Sequence, residues 1–559
     1  MCYIVAHVEN NVIPFLLNLP QSHLLLLSLI HLITWGYCLT LKGWVSDDIE
    51  GIAKFSDRFI QEKDAQGNVT KEYKVDTYDV QWPKDAKDEK GNLKIVKVPN
   101  LGKDPSIGFP NWIMRWWRLN LGKRFSKIGT NSKGHDVFGY VQDARYHHAI
   151  NLFAQLLNVI LGYNLLNHLF GSQLAFWSIL LFAVYPIGVQ AVAWISGINY
   201  TLSLTFALIT FNLSIHIDNP YISIPLVVLS SAISCTFFLP GCFNFVILLL
   251  LGQYNEALFS FVVSLYFMAK MGREVVSFRT KAFKDQNMGR STTFKLSKII
   301  VMLKTLWYYV RMVLFPKRLG LFHTWGYHYE DPIEHIDLEF VMGLLSFVGI
   351  VILGLSSPFC VQLGLIWFIS YLFIFSNFIT AQQFVSERYA YIPSFGVCLV
   401  VAYFLQDYPL ILSFIVGIFM MRVWVHLPTF TNEVLFYESN CSNFPKSEVA
   451  MGNLGVSYLN HGLRYKAFDQ WTQASSQNKL YDVPWYNLYS ICKQNGDLTG
   501  AKKFLAMCLD SKTVHFDDLW KKEMIDLDRI IAMNVPIGEF TKRVNQAIKE
   551  SKYASTGIV

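Results

Sequence analysis

The sequence predicts an all-α polytopic membrane protein of about 11 transmembrane helices, closed by a C-terminal helical-repeat domain. Three observations predict it. Only 16% of the 559 residues are charged and 52% are hydrophobic, where a soluble domain carries about 25% charged residues. Apolar runs of near-spanning length follow one another from residue 24 to residue 426. Beyond residue 443 the chain turns polar and repeats itself at 34 residues. The boundary is drawn at 440, with a transmembrane domain over 1–440 and the repeat domain over 441–559.

Residues 1–20 are a weakly patterned lead-in. The first apolar run, 24–41, has roughly the length a bilayer requires. It lacks a basic flank and a small-residue cleavage site, which predicts a retained helix rather than a removed signal. Residues 43–146 form a large first loop rich in Lys and Asp. Alternation in TKEYKVDTYDVQWP and EKGNLKIVKVPN predicts a short hairpin there. The segment PNWIMRWWRLNLGKRF mixes tryptophans with cations and suits either a helix at the membrane interface or a solvated loop resting on headgroups.

Six apolar segments follow, at 150–169, 174–194, 202–217, 222–239, 243–251 and 258–271. A basic stretch, 273–298, leads to 299–316, where Lys304 and Arg311 share a helical face. Two topologies stay open. If 299–316 lies on the surface, the first loop, the 317–339 loop, the Arg388 region and the tail share one side. If it spans, the later elements fall opposite the first loop. The cost of Lys304 and Arg311 against lipid favours the surface arrangement, although the positive-inside rule argues the other way. Four more apolar segments lie at 340–355, 361–379, 391–405 and 410–426.

The net charge of +7 reads as topology and lipid-phosphate contact, not nucleic-acid binding. Nine scattered cysteines without a CxxC imply neither a disulfide framework nor a zinc site.

Four groups of residues could carry chemistry. Asp47 and Asp48 follow the first helix. One carboxylate there suits a general base, and its neighbour suits a divalent cation held against a phosphate; a helix-end pair bound to a basic residue explains them equally. His147 and His148 open the second apolar segment, with His148 and Asn151 on one face, suited to phosphate or metal or to a plain backbone contact. Glu387 and Arg388 stand at the mouth of a late segment, where Arg388 suits a phosphate and an internal ion pair is the alternative. The loop HTWGYHYEDPIEHIDLE holds three histidines and five acids at no recognised metal spacing.

In the tail, Asn453, Leu454, Tyr458, Gly462, Ala467, Trp471 and Ala474 recur as Asn487, Leu488, Cys492, Gly496, Ala501, Leu505 and Cys508. A 34-residue period with small residues at the helix crossings is the tetratricopeptide signature. Two repeats suit a docking groove, with Asn453, Tyr458, Trp471 and Asn487 as acceptor-docking residues, or a structural cap.

These segments, in this order, resemble the transmembrane, tetratricopeptide-containing O-mannosyltransferases that act on cadherins, and their bacterial relatives, within the GT-C glycosyltransferases. YPIGVQAVAWISGINYTLSLTF resembles that family's HPVxxEAVAWISGRxDLL segment, and SERYAYIPSFG its ERYLYLPS motif. The resemblance implies a GT-C fold, a polyprenyl-phosphate-linked sugar as donor and transfer to a protein hydroxyl. It implies Asp47 or Asp48 as base and Arg388, with His148 and Glu387, at the donor phosphate. It also implies an endoplasmic-reticulum or bacterial inner membrane, with the first loop and tail extracytoplasmic. The chain departs from the family at Tyr185, Gln190, Ile198, Tyr200, Cys235 and Thr236, where family members carry charged or polar residues. The rival reading is therefore a catalytically silent scaffold that recruits a protein through its repeats. A transporter, the third reading, would need paired charges inside the helices.

Overall fold

The computed structural model describes residues 21–42, 45, 58–63, 69–75, 123–130, 136–285, 297–321, 323, 335–378, 385–478, 481–510, 521 and 524–528. Helix α1 (Gln21–Trp35) tightens into a 3-10 turn, Gly36–Thr40. The first loop then departs from the all-α expectation. It contributes β1 (Arg58–Lys63), β2 (Val69–Val75), β3 (Lys123–Thr130) and β4 (Asp136–Gln142), an antiparallel sheet in the order β2-β1-β4-β3. The expected hairpin does include Val69–Val75. Its partner, however, is the upstream strand, with Arg58 opposite Val75, not residues 89–100, which lie outside the described residues. The end of PNWIMRWWRLNLGKRF is strand from Lys123 onward; its earlier residues also lie outside the described set.

Strand β4 runs directly into α2 (Ala144–Phe170), because Asp143 caps that helix by accepting from the Arg145 N–H at 3.0 Å. Next come α3 (Ser172–Ala183) and the short α4 (Val189–Val192), bent by 48° at Pro186. The bundle continues through α5 (Ile198–His216), α6 (Pro220–Phe237), α7 (Asn244–Leu250), α8 (Tyr254–Asp285), α9 (Lys298–Leu314), α10 (Leu338–Ser356), α11 (Phe359–Leu372), α12 (Glu387–Leu405) and α13 (Pro409–His426). Among the described residues, seven helices are long and apolar enough to cross a membrane, or eight if the α3–α4 pair is one broken span. This corrects the expected eleven. The run at 243–251 yields only the seven-residue α7. The run at 258–271 belongs to the 32-residue α8, which continues into the basic stretch. The run at 361–379 gives a 14-residue α11 with a 3-10 turn.

Buried amides stitch the bundle together. Asn158 donates to the Tyr391 hydroxyl at 2.9 Å and to the Thr201 carbonyl at 3.1 Å, and accepts from Thr205 at 2.7 Å. Asn164 donates to Asn212 at 2.8 Å. Polar side chains in apolar helices are tolerated when they pair across helices in this way.

Helix α9 has 17 residues, at the lower end of the length that can cross a bilayer. Its Lys304 is buried and donates to Asp337 at 2.7 Å, at the mouth of α10, which Asp337 caps through the Phe340 N–H. Burial raises the Asp337 carboxyl, but its bonds from Lys304 and Phe340 bring it below the usual carboxylate range. Arg311 stacks over Tyr308 at 4.9 Å. Both cations thus have protein partners, so their cost against lipid does not decide between the surface and the spanning arrangement.

After α14 (Glu433–Asn443), two helical hairpins repeat with one offset: α15 (Glu448–Asn460) with α16 (Arg464–Gln477), then α17 (Asp482–Gln494) with α18 (Leu498–Asp510). Gly462 and Gly496 end the first helix of each hairpin, both at φ 78°. Ala467 and Ala474 are fully buried, and so are their counterparts Ala501 and Cys508. In α17, burial pushes the Lys493 ammonium down to about 8, against the attraction of Asp526. The same amine titrates near 10.4 when unfolded. Between those values the unfolded chain binds the extra proton, so stability rises with pH across that window and the penalty is fully present below it. Lys493→Met should therefore raise the unfolding midpoint of the full chain in detergent at pH 7. The gain should shrink as pH approaches about 10; a gain independent of pH would contradict the cause.

Candidate functional site

The first turn of α12 gathers the polar groups. Glu387 is fully buried and engages protein donors with both oxygens. The Gly320 N–H donates to Oε1 at 2.5 Å, the Gln190 amide donates to Oε2 at 3.0 Å, and the His323 ring nitrogen Nε2 stands 3.4 Å from Oε1. Beside it, Arg388 donates from Nε to the Tyr200 hydroxyl at 3.0 Å and from Nη1 to the Ser386 hydroxyl at 2.8 Å. Its guanidinium lies over the rings of Tyr389 at 4.9 Å and Trp194 at 5.4 Å. Gln190 completes the turn by accepting from Ser386 Oγ at 3.2 Å and from the Arg388 N–H at 3.4 Å. The Ser386 N–H donates to the Tyr309 hydroxyl at 3.2 Å. Burial pushes that phenol well above its usual range, so it stays a neutral donor and acceptor.

Two further contacts tie other elements to this turn. Asn151 on α2 donates to the Trp194 carbonyl at 2.8 Å, which fixes the α4–α5 turn that carries Trp194. The Trp194 indole donates to the Val45 carbonyl at 3.3 Å. The chain after α1 therefore comes down on the ring against which Arg388 stacks.

The sequence-predicted residues divide as follows. Asp47 and Asp48 lie outside the described residues; Val45, just upstream, is buried on Trp194. Arg388 stands at the mouth of α12, as expected. His148 is buried one turn before Asn151 on α2. Glu387, expected at the donor phosphate, has a different part: its oxygens hold the Gly320 turn and Gln190. Trp471 is buried in the first hairpin, and its N–H donates to the Gly452 carbonyl at 2.9 Å. Tyr458 donates to Glu438 at 2.7 Å and so joins α15 to α14. Both side chains are engaged in packing the tail. Asn453 is half-buried. Asn487 is buried, and among the described residues its Nδ2 meets no acceptor.

Sequence reasoning noted Gln190 and Tyr200 only as departures from a pattern. In the structure they are the direct partners of Glu387 and Arg388. Trp194, Ser386, Tyr309 and Gly320 were not named as site residues, and His323 was noted only as one of three histidines in its loop. Trp194 and Ser386 lie inside the quoted motifs, and His323 opens the quoted loop HTWGYHYEDPIEHIDLE, which was the available signal; Gly320, just before that loop, was not singled out.

This arrangement presents a guanidinium whose orientation is set by hydroxyls and two aromatic faces at a helix mouth. Such a group suits a planar or tetrahedral oxyanion. Among the described residues, no cluster of three or more His, Cys, Asp or Glu could hold a metal ion. No protein-family model, curated protein or solved structure matches the chain. The likeness to the O-mannosyltransferases therefore stands on the quoted residues alone. What holds at the coarser level is a mainly helical chain with several helices able to cross a membrane.

Proposed function

We propose that this protein is a GT-C-type membrane glycosyltransferase. It takes a sugar, mannose in the first instance, from a polyprenyl phosphate and transfers it to a hydroxyl of a protein or surface glycan. Arg388 binds the donor phosphate, and Asp47 or Asp48 is the base that accepts the hydroxyl proton. The neighbouring carboxylate is the residue type that would hold a divalent cation against the phosphate. The repeat tail recruits the acceptor, and the site faces the extracytoplasmic side.

One observation carries this reading. Trp194 bonds the Val45 carbonyl and also stacks on Arg388. Asp47 is two residues beyond Val45, which is about 7 Å of chain at most. This short chain separation from Val45, which shares Trp194 with Arg388, supports pairing a base in this segment with a phosphate ligand that comes from a distant part of the sequence. The scaffold reading draws on a different observation: Gln190 and Tyr200, neutral where family members are charged, are satisfied within the protein by Glu387 and Arg388.

Binding of a polyprenyl-phosphate sugar to purified protein in detergent separates the two. Arg388→Ala should weaken binding by about a hundredfold or more, as loss of a buried charge-assisted contact does. Asp47→Asn and Asp48→Asn should leave binding in place, and one of them should abolish transfer. A folded wild type that binds no polyprenyl phosphate would sink the enzyme reading and favour the scaffold.

A further inference from the structure

We infer that Asn440 is a positioning residue through which the repeat tail sets the placement of Arg388. The link is a three-residue strap of backbone, Leu319-Gly320-Leu321. Its groups alternate between two partners. The Leu319 carbonyl accepts from Asn443 Nδ2 at 2.8 Å, and the Leu321 N–H donates to Asn440 Oδ1 at 2.5 Å; both partners lie on α14, which leads into the tail. Between them the Gly320 N–H donates to Glu387 Oε1 at 2.5 Å, in the first turn of α12. One side of the strap is thus bonded to the tail and the other to the site.

The surroundings leave the strap little freedom. Asn440 Nδ2 donates to the Phe436 carbonyl at 2.8 Å, which fixes the amide so that Oδ1 faces Leu321. A Cβ at position 320 would lie 2.8 Å from Asn440 Oδ1 and 2.8 Å from the Phe444 ring; only glycine lets α14 approach this closely. His323 braces the same turn. Its Nε2 stands 3.4 Å from Glu387, its Nδ1 is 2.9 Å from the Tyr308 hydroxyl, and its ring packs on Phe444 at 4.4 Å. Asn440, His323 and Glu387 are each at most 1% exposed, so water cannot replace a bond that lengthens. A buried N–H left without its acceptor is costly, and the strap must follow α14 when α14 moves.

Glu387 passes that movement on. It precedes Arg388 in the chain, and Gln190 grips both residues: its amide donates to Glu387 while its oxygen accepts from the Arg388 N–H. On the tail side, Tyr458 bonds Glu438 and ties α14 to the first hairpin. A chain that docks on the repeats and shifts α14 would therefore alter the seat of Arg388. The consequence for lipid binding rests on the proposed function; the mechanical coupling does not.

Hydrogen exchange on the full-length protein in detergent tests the coupling. Asn440→Ala should speed exchange about tenfold at Gly320 and Leu321, the scale expected when a buried amide loses its acceptor. It should also speed exchange at Ser386–Arg388, which Asn440 does not touch. Tyr458→Phe, which frees Glu438 but leaves the strap bonded, should accelerate the tail alone. If Asn440→Ala does not fold, Asn443→Ala, which removes only the bond to Leu319, is judged by the same two footprints. Faster exchange in the strap with Ser386–Arg388 unchanged would overturn the inference, and so would no change at either place. Polyprenyl-phosphate binding measured in parallel separates the two ideas. A wild type that binds none defeats the proposed function, while the exchange footprints still decide the coupling.

Discussion

Replacing Glu387 with alanine is expected to cost about 3–5 kcal/mol, the scale of leaving a buried polar partner uncompensated. The side chain is fully buried, and three groups converge on it: the Gly320 N–H, the Gln190 amide and the His323 ring. Alanine leaves all three facing a cavity that they cannot fill. Glu387→Gln should fall between wild type and alanine. One oxygen still accepts from Gly320, but the new amide N–H faces the Gln190 N–H, so two donors meet. If Gln190 flips to relieve this, its oxygen leaves Ser386 and the Arg388 N–H. The unfolding midpoint in detergent measures the order wild type, glutamine, alanine. A Glu387→Ala protein that melts with wild type would mean that Asn440 and His323 hold the strap without help from α12.

The same geometry gives Gln190 a role. A glutamate at 190 would set a second carboxylate 3.0 Å from Glu387 in a dry site, and two such groups would not both ionise at that distance. Gln190 supplies the donor that Glu387 accepts from.

Much of the architecture was legible because it rests on local pattern. The apolar runs mark the helices, and the 34-residue recurrence of small residues marks the hairpins, down to glycines at matching turns. Pairing between distant residues was not legible. Strand β1 lies between β2 and β4, with Arg58 opposite both Val75 and Gly139, and alternation in one segment does not name its partner. Hydropathy also does not say where a helix stops: Gly252 at φ 76° follows the end of α7, and Asn377 at φ 65° follows the turn after α11. At the candidate site, a Glu-Arg dipeptide at a helix mouth pointed to the turn where the structure gathers buried polar groups. It could not say that Glu387 faces inward to the strap while Arg388 lies against Trp194. That division depends on Gly320, which is over sixty residues away.

Gly396→Val should be strongly destabilising. Where α11 crosses α12, a Cβ on Gly396 would lie 2.3 Å from the Gly364 carbonyl oxygen, and a Cβ on Gly364 would lie 2.6 Å from the Gly396 oxygen. Both obstacles are backbone, so no rotamer relieves them and the two helices must separate. Close approach of small residues is how helices pack where lipid offers no hydrophobic drive. The Trp367 indole bonds the Ile392 carbonyl across the same crossing at 2.9 Å and would be strained by the separation. Gly396→Ala should cost about 1–3 kcal/mol and valine more. Gly417→Ala is the control: position 417 has nothing within 4 Å of a built Cβ, and alanine there should be neutral or slightly stabilising. Equal melting of the 396 and 417 variants would show that the crossing is looser than this. The consequence also reaches the site. Ser386, Glu387 and Arg388 open the same helix that Gly396 seats, about three turns away. Displacing α12 should therefore lower lipid-phosphate binding along with stability, whereas Gly417→Ala should alter neither.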